Sequence, residues 1–283
     1  MRIIAETTHH LAAFLVLALV ATGASAQSPS PKPKIPPGTD PGGIAIALIA
    51  YGIDYTDPEI APRLARDGEG DIIGWDFVTG DNKPFAAAPD SGIDGTHLAK
   101  LILSAYARGR LVPLRVAPAD PAQFAQAMRF VLQSPARIIA VPLWNARPEI
   151  TEVMNAAAAH ARDRLFIIPA GEGVTAQRSG NLLSAAALAT AEISTPAFLA
   201  VVDVWVRPRG AAMFGSRPGS PPADALEAHA LAAAFAACAQ HGGPPLDGAA
   251  ARSAVLTRTQ PQTFKDAVLP VLDPQCLYGG QRF

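Results

Sequence analysis

The sequence of 283 residues is poor in cysteine, in aromatic side chains and in charge of either sign. Its 23 basic and 24 acidic residues nearly cancel, and neither kind is gathered into a patch or a run. Because a nucleic-acid or polyelectrolyte partner normally requires such a patch, neither partner is predicted. The sequence also has no internal repeat and, beyond residue 26, no apolar run long enough to cross a bilayer.

The first 26 residues have the pattern of a secretion signal. Arg2 gives a positive start, residues 11–20 (LAAFLVLALV) are apolar, and residues 24–26 (ASA) are the small residues typical of a cleavage site. The apolar core is short for a membrane span, although an uncleaved N-terminal anchor is the alternative. The pattern predicts export to the periplasm or the cell exterior, with a mature chain that begins at Gln27.

Two further regions follow the signal. Residues 27–43 (QSPSPKPKIPPGTDPGG) are rich in proline, serine and glycine, which predicts an extended linker with too little apolar content to pack. Residues 44–283 form the predicted domain, in which apolar runs alternate with amphipathic stretches. This alternation predicts an α/β fold of three layers, a mostly parallel sheet with helices on both faces. The predicted strands are 44–50, 137–141, 165–168 and 198–206, and the predicted helices are 97–107, 121–133, 149–162 and 222–240.

Residues 94–99 (DGTHLA) resemble a motif of the subtilisin-like serine proteases. In that family the run is His-Gly-Thr-His-Val-Ala, which opens a helix, and its first histidine is the catalytic base. Residues 57–60 (DPEI), 72–78 (IIGWDFV) and 80–82 (GDN) match other family phrases in the expected order. The resemblance covers about residues 42–280 and implies a subtilisin-like fold. Here Asp94 stands at the position of the base.

The resemblance implies that all four catalytic positions have lost their chemical groups. A serine protease needs a nucleophile, a base, an orienting carboxylate and donors to the oxyanion. The matching residues are Ala50 for the aspartate, Asp94 for the histidine, Glu172 for the oxyanion asparagine and Ala225 for the serine. Asp94 is interpreted as a cap of the following helix, or else as a base like the glutamate of the related sedolisins. No catalytic residue is therefore predicted.

The groove that holds the substrate in the family is also altered. Its strand ends here in residues 140–144 (AVPLW), where Pro142 removes a backbone donor and Trp144 replaces a glycine that leaves the groove open. The connection before the serine position, residues 217–226, is about twenty residues shorter than the family's. The resemblance therefore implies a partly truncated active-site wall.

No cofactor and no metal are predicted. Residues 171–173 (GEG) suggest a phosphate loop only superficially, because a third glycine at the proper spacing is missing. The alternation of strands and helices instead leaves a cleft at the carboxyl ends of the strands, where open α/β sheets bind ligands.

The leading interpretation is an exported pseudoprotease that binds a protein or peptide and cleaves nothing. The first alternative is an active serine endopeptidase that uses displaced residues, Ser216 or Ser220 with His97, Asp94 or His229. The second alternative is a binder of small molecules in the vestigial cleft, and the third is a relic without function. His97 matches the family's second, structural histidine, and His229 is interpreted as a packed or surface histidine.

The two cysteines, Cys238 and Cys276, both lie in the C-terminal quarter. In an exported protein such a pair is compatible with one disulfide, although two separate buried thiols are the alternative. We predict that thiol titration of the native secreted protein finds no free thiol. The same protein, denatured and reduced, serves as the control and yields two. Two titratable thiols in the native, unreduced protein would contradict the pairing.

Overall fold

The computed structural model describes residues 31–86, 95–117, 120–142, 148–171, 174, 178–189, 195–208, 223–264 and 267–272. Contacts divide the chain into Met1–Pro31 and a compact unit of Lys32–Phe283, to which every element named below belongs.

A sheet of nine strands in the order β2-β3-β1-β4-β5-β6-β7-β9-β8 forms the centre of this unit. Every neighbouring pair is parallel except the antiparallel pair of β8 and β9. The strands are β1 (Ile44–Ala50), β2 (Trp75–Asp76), β3 (Gly109–Arg115), β4 (Ile138–Ala140), β5 (Leu165–Pro169), β6 (Leu182–Ala187), β7 (Val204–Val206), β8 (Thr259–Phe264) and β9 (Ala267–Leu272). The predicted α/β class with a mostly parallel sheet is confirmed.

The helices form two groups. Helix α5 packs against α1, α6 and five parallel strands, whereas α2 and α3 pack against each other. The helices are α1 (Gly95–Ala105), α2 (Pro121–Gln133), α3 (Pro148–His160), α4 (Pro196–Leu199), α5 (Ala223–Ala239) and α6 (Gly248–Leu256), with one turn of 3-10 helix at Ala61–Arg63. The two groups cover the faces of the sheet, and the structure is therefore layered as the sequence predicted.

Strand β1 and helix α5 form the middle of the core. Residues 45–50 of β1 are all buried, as expected of a parallel strand that is covered on both faces. Residues 225–237 of α5 are buried as well, on every side of the helix. A helix that is apolar all round is typical of a core position rather than a surface position. Cys238, at the end of this buried stretch, is disulfide-bonded. Its expected partner, Cys276, lies outside the described residues.

Local signals explain which boundaries the sequence predicted correctly. Helix α2 begins at the predicted residue because the Asp120 carboxylate accepts hydrogen bonds from the amides of Ala122 and Gln123, and Pro121 occupies the first helical position. Helix α1 lies at residues 95–105, two residues earlier than predicted. This difference is within the usual uncertainty of helix ends.

The predicted strand 198–206 is wrong in its first half. Thr195 caps a single helical turn, α4, by accepting a hydrogen bond from the Phe198 amide, and the strand is confined to Val204–Val206. The Thr-Pro pair at 195–196 is a helix-start signal that outweighs the apolar run after it. Strand β3 was not predicted, although it lies beside β1; it contains Pro113, a residue that argues against a central strand.

The segment of residues 32–43 contains no helix or strand, as expected of an extended segment, but polar contacts hold it against the domain. The Tyr55 hydroxyl donates to the Pro33 carbonyl at 2.7 Å, and Arg66 donates to the Pro36 carbonyl at 2.7 Å. Asp40 forms an ion pair with Arg110 and accepts a hydrogen bond from the Arg66 amide. The segment therefore packs through hydrogen bonds and charge, and Ile35 adds an apolar contact with the core.

The buried side chain of Asn181, directly before β6, fixes the turn between α3 and β5. Its Nδ2 donates to the carbonyls of Ala158, Ala161 and Arg164, each at 2.9 Å. These carbonyls lie at the end of α3 and in the turn that leads into β5. Buried carbonyls that lose their donor keep the cost of their desolvation.

We predict that Asn181→Ala lowers the free energy of unfolding by about 1–3 kcal/mol, because three buried carbonyls lose a donor. Urea denaturation followed by circular dichroism measures the change. The control is Gln133→Ala, which removes an exposed amide at the end of α2 and should have an effect within about 0.5 kcal/mol. Equal effects of the two substitutions would contradict the structural role of Asn181.

Candidate functional site

The candidate site lies at the carboxyl ends of the parallel strands, which meet at one edge of the sheet. Strand β1 ends at Ala50 and strand β3 at Arg115, and these two residues are paired in the sheet. Ala50 is completely buried, and its carbonyl accepts a hydrogen bond from the Val116 amide. The matched position for the catalytic aspartate thus holds a methyl group that no solvent or substrate reaches.

The first turn of helix α1 packs directly on this strand end. A Cβ atom on Gly95 would lie 2.1 Å from the Gly52 carbonyl oxygen and 3.1 Å from the Cβ of Ala50. The side chain of Thr96 accepts a hydrogen bond from the Asp54 amide at 2.8 Å. The close approach requires glycine at position 95 and brings the start of α1 to the end of β1. Asp94, the preceding residue, lies outside the described residues.

Helix α5 carries the matched position of the nucleophile. Ala225, its third residue, is buried at 7% exposure. The helix packs along α1 and across β1, β4 and β5. The elements that carry Ala50 and Ala225 are therefore in contact with each other and with α1. The convergence of the four positions stays a prediction, because Asp94 and Glu172 both lie outside the described residues.

His229, one turn after Ala225, is a core residue. Its ring is completely buried, and Nε2 donates to the Ile167 carbonyl in β5 at 3.0 Å. Nδ1 has no hydrogen-bond partner among the described residues. Burial lowers the pKa of His229 to about 4, against the weaker opposing effect of the hydrogen bond to Ile167. The imidazole is therefore neutral near pH 7 and out of reach of a substrate, which confirms its interpretation as a packed histidine.

The other residues considered for a displaced site are only partly described. His97 lies in α1 and is half-buried. Ser216 and Ser220, the candidate nucleophiles, lie outside the described residues. Pro142 is buried directly after β4, where the neighbouring Val141 amide donates to the Ile167 carbonyl. Trp144 also lies outside the described residues.

An ion-pair network next to Ala50 was not predicted from the sequence. Arg115 at the end of β3 contacts Asp76 at the end of β2, and Asp76 also contacts Lys32 of the N-terminal segment. In the sequence, Asp76 is part of the family phrase at residues 72–78, and Lys32 lies in the segment that was predicted to be a linker. No local pattern connects residues that are 44 positions apart in the chain.

Across the described ranges, no group of three or more His, Cys, Asp or Glu side chains is arranged to hold a metal ion. Likewise, none of the helices that the structure describes is long and apolar enough to cross a membrane.

Comparison with known proteins places the fold. No protein-family model matches the chain, and no curated protein matches it significantly in sequence. Among solved structures, a cold-adapted subtilisin-like serine proteinase is similar with a TM-score of 0.61 and 16% identity, over 82% of this chain and 89% of that one. The A-subunit of the AB5 toxin from E. coli has a TM-score of 0.58 and 14% identity, over 84% and 93%.

A third similar structure is fervidolysin from Fervidobacterium pennivorans, a keratinolytic enzyme related to subtilisin. Its TM-score is 0.55 at 14% identity, over 86% of this chain and 43% of that one. Identities this low show a shared fold and nothing about activity. The chain therefore has a subtilisin-like fold.

The lowered pKa of His229 predicts an acid-sensitive core. The ordinary pKa of histidine, about 6.5, applies to the unfolded chain, which binds a proton at a pH where the folded chain does not. The contribution of neutral His229 to the free energy of unfolding is therefore fully present above about pH 6.5. It falls toward pH 4, by up to about 1.4 kcal/mol per pH unit. We predict that His229→Met flattens the pH dependence of the free energy of unfolding in this window.

Chemical denaturation at several pH values between 4 and 7 measures this effect. The control is His160→Gln, which removes an exposed histidine at the end of α3 and should leave the profile as it is. An unchanged profile for His229→Met would show that His229 takes up no additional proton on unfolding.

Proposed function

We propose that this chain is an exported protein with a subtilisin-like fold that does not hydrolyse peptides and acts by binding a protein or peptide partner. The observation that carries the proposal is Ala50, a completely buried methyl group at the strand end that the family resemblance matches with the catalytic aspartate. A methyl group neither orients an imidazole nor stabilises its charged form. Ala225, at the matched serine position, has no atom that could attack a carbonyl carbon.

The residues at the two remaining matched positions support the same proposal by their identity. Asp94 has no imidazole, and an ionised Glu172 would repel an oxyanion instead of donating a hydrogen bond to it. The members of a catalytic triad act as a unit, so the losses do not merely add. Hydrolysis by the family mechanism is therefore not expected from this chain.

A hydrolase with displaced residues is the competing function. It requires a serine within hydrogen-bond reach of an accessible base. His229 does not meet this requirement, because it is completely buried and already donates to a backbone carbonyl. The remaining candidate bases for a displaced site are His97 and Asp94, each with Ser216 or Ser220 as the nucleophile.

The way in which a partner binds is also constrained. Substrates of the family add a strand to the groove by backbone hydrogen bonds, and Pro142 has no amide hydrogen to offer there. A bound protein or peptide is therefore expected to make its contacts through side chains. The missing donor would not hinder a small molecule, which is the second candidate ligand for the same cleft.

We predict that the purified mature protein is not labelled by a fluorophosphonate probe, because such probes react with activated serines wherever they lie in a fold. Mass spectrometry of the probe-treated protein measures the labelling, and an active subtilisin is the positive control. Stoichiometric labelling at one serine, abolished when that serine is replaced, would demonstrate a displaced active site and refute the proposal.

A restored variant provides the matched control. Ala50→Asp, Asp94→His, Glu172→Asn and Ala225→Ser together rebuild the four family side chains. We expect no substantial peptidase activity from it, because Pro142 and the shortened connection at 217–226 still alter the substrate groove. Recovered activity would support the matched positions and refute the argument about the groove.

A further inference from the structure

The ammonium group of Lys32 lies in a cage of oxygen atoms. Its Nζ is 2.6 Å from Asp76 Oδ2, 2.5 Å from Thr79 Oγ1, 2.7 Å from the Lys83 carbonyl oxygen, and 2.8 and 3.1 Å from the two oxygens of Asp81. An ammonium group has three hydrogens, so five oxygens saturate it. The side chain is 16% exposed, which is low for lysine. Lys32 is therefore a bound group rather than a mobile surface charge.

Asp76 is the centre of the network. Its carboxylate is completely buried, and Oδ2 is shared by Lys32 and by Nη1 of Arg115 at 2.9 Å. The other oxygen accepts hydrogen bonds from the amides of Val78 and Thr79. Burial by itself would raise the pKa of Asp76, but the hydrogen bonds from Lys32 and Arg115 and the charge of Arg115 together lower it. A buried carboxylate needs such complete pairing to stay ionised.

Arg115 connects this carboxylate to the end of β1. Its Nε donates to the Tyr51 carbonyl at 3.2 Å, and Tyr51 is the residue directly after Ala50. The aliphatic part of Arg115 also lies against Gly52, where an added Cβ would be 3.1 Å from Cδ of the arginine. The guanidinium thus holds the backbone directly after Ala50, at the carboxyl end of β1.

We propose that Lys32 is a positioning residue for the candidate cleft and fixes the backbone at Tyr51 through Asp76 and Arg115. The role of the cleft in binding rests on the proposed function, but the coupling itself does not. Two carboxylates, Asp76 and Asp81, face two cations, Lys32 and Arg115. Without Lys32 one positive charge faces both carboxylates. Arg115 then turns toward them and releases the Tyr51 carbonyl.

The position of Lys32 in the chain gives this coupling a consequence. Lys32 belongs to the N-terminal segment, which joins β1 through Gly42 and Gly43, both with positive φ. The contacts of Pro33, Pro36 and Asp40 dock the rest of the segment on the same domain. Docking of the segment and the position of the backbone at Tyr51 therefore form one equilibrium. A chain that loses the segment also loses this support of the strand end.

Two matched variants of the full-length chain test the proposal. Lys32→Met keeps the length of the side chain and removes its charge, and Lys34→Met makes the same change at an exposed lysine two residues later. The readouts are the Arg115 Nε–H signal in nuclear magnetic resonance and hydrogen exchange of the Ile53 amide, which donates to the Pro84 carbonyl. We expect Lys32→Met to accelerate both exchange rates by about tenfold or more, with α6 amides unaffected.

Three results would contradict the proposal. If Lys32→Met loosens residues 32–43 but leaves the Arg115 and Ile53 signals as in the wild type, Lys32 is only a tether and the proposal is wrong. A uniform acceleration that includes the α6 amides would also overturn it, because that result indicates a global loss of stability. If Lys34→Met accelerated exchange at Arg115 and Ile53 as much as Lys32→Met, the cage contacts would be irrelevant and the proposal would be wrong.

Two further variants keep the test decisive if Lys32→Met is destabilised. Lys32→Arg retains the charge and is expected to preserve the Arg115 signal. Lys32→Met combined with Asp81→Asn removes the second carboxylate together with the cation, so Arg115 faces Asp76 alone and its exchange should return toward the wild-type rate. Exchange that stays as fast in this double variant as in Lys32→Met would overturn the proposal. None of these readouts involves hydrolysis or a ligand, so fluorophosphonate labelling would refute the proposed function and leave the coupling intact.

Discussion

The burial of helix α5 against the parallel sheet is the constraint on which the rest of this structure depends. The helix is buried on every side, and residues 225–237 are withdrawn from solvent by α1, α6 and the strands that they contact. Alanine predominates in the helix, and small side chains let the neighbouring backbones come close. The same principle holds at Gly95, where the start of α1 leaves no room for a Cβ beside the Gly52 carbonyl. A helix that is buried all round cannot move without exposing apolar surface, so it fixes the relative positions of its neighbours.

The same packing accommodates Ala50 and Ala225, the residues that the sequence resemblance matches with the catalytic aspartate and serine. Both alanines are buried and contribute to the core. Polar groups in a buried site cost free energy unless they are fully hydrogen-bonded, so alanine at both positions favours the stability of the fold. Two buried polar side chains lie in α5, Glu227 and His229, and His229 is tolerated because its ring is neutral and donates to the Ile167 carbonyl. A shared fold does not imply a shared activity, because function resides in a few side chains.

Ion pairs determine the packing at the ends of β2 and β3, next to Ala50. Asp76 is buried beside β3, and it keeps its charge because Lys32 and Arg115 approach it from two directions. Buried ion pairs often add little net stability, but they specify geometry, since each partner accepts few alternatives. In this chain the geometry that they specify includes the backbone directly after Ala50. A segment with the composition of a linker thereby becomes part of the architecture around the candidate cleft.

The sequence by itself determined the fold class and several element boundaries, because these depend on local patterns. The apolar run of β1 predicted a central strand, and the helical spacing that begins at Pro121 predicted the start of α2. The identities of Ala50 and Ala225 led to the prediction that the chain does not hydrolyse peptides, and this stays a prediction. Local patterns gave the wrong prediction for α4, where a helix-start signal precedes an apolar run. They gave no prediction for β3, where Pro113 interrupts a strand pattern. Only the tertiary structure decided that His229 is buried and that Lys32 meets Asp76 across 44 residues of chain. Burial and long-range pairing arise from the packing of distant elements, and no window of sequence contains both partners.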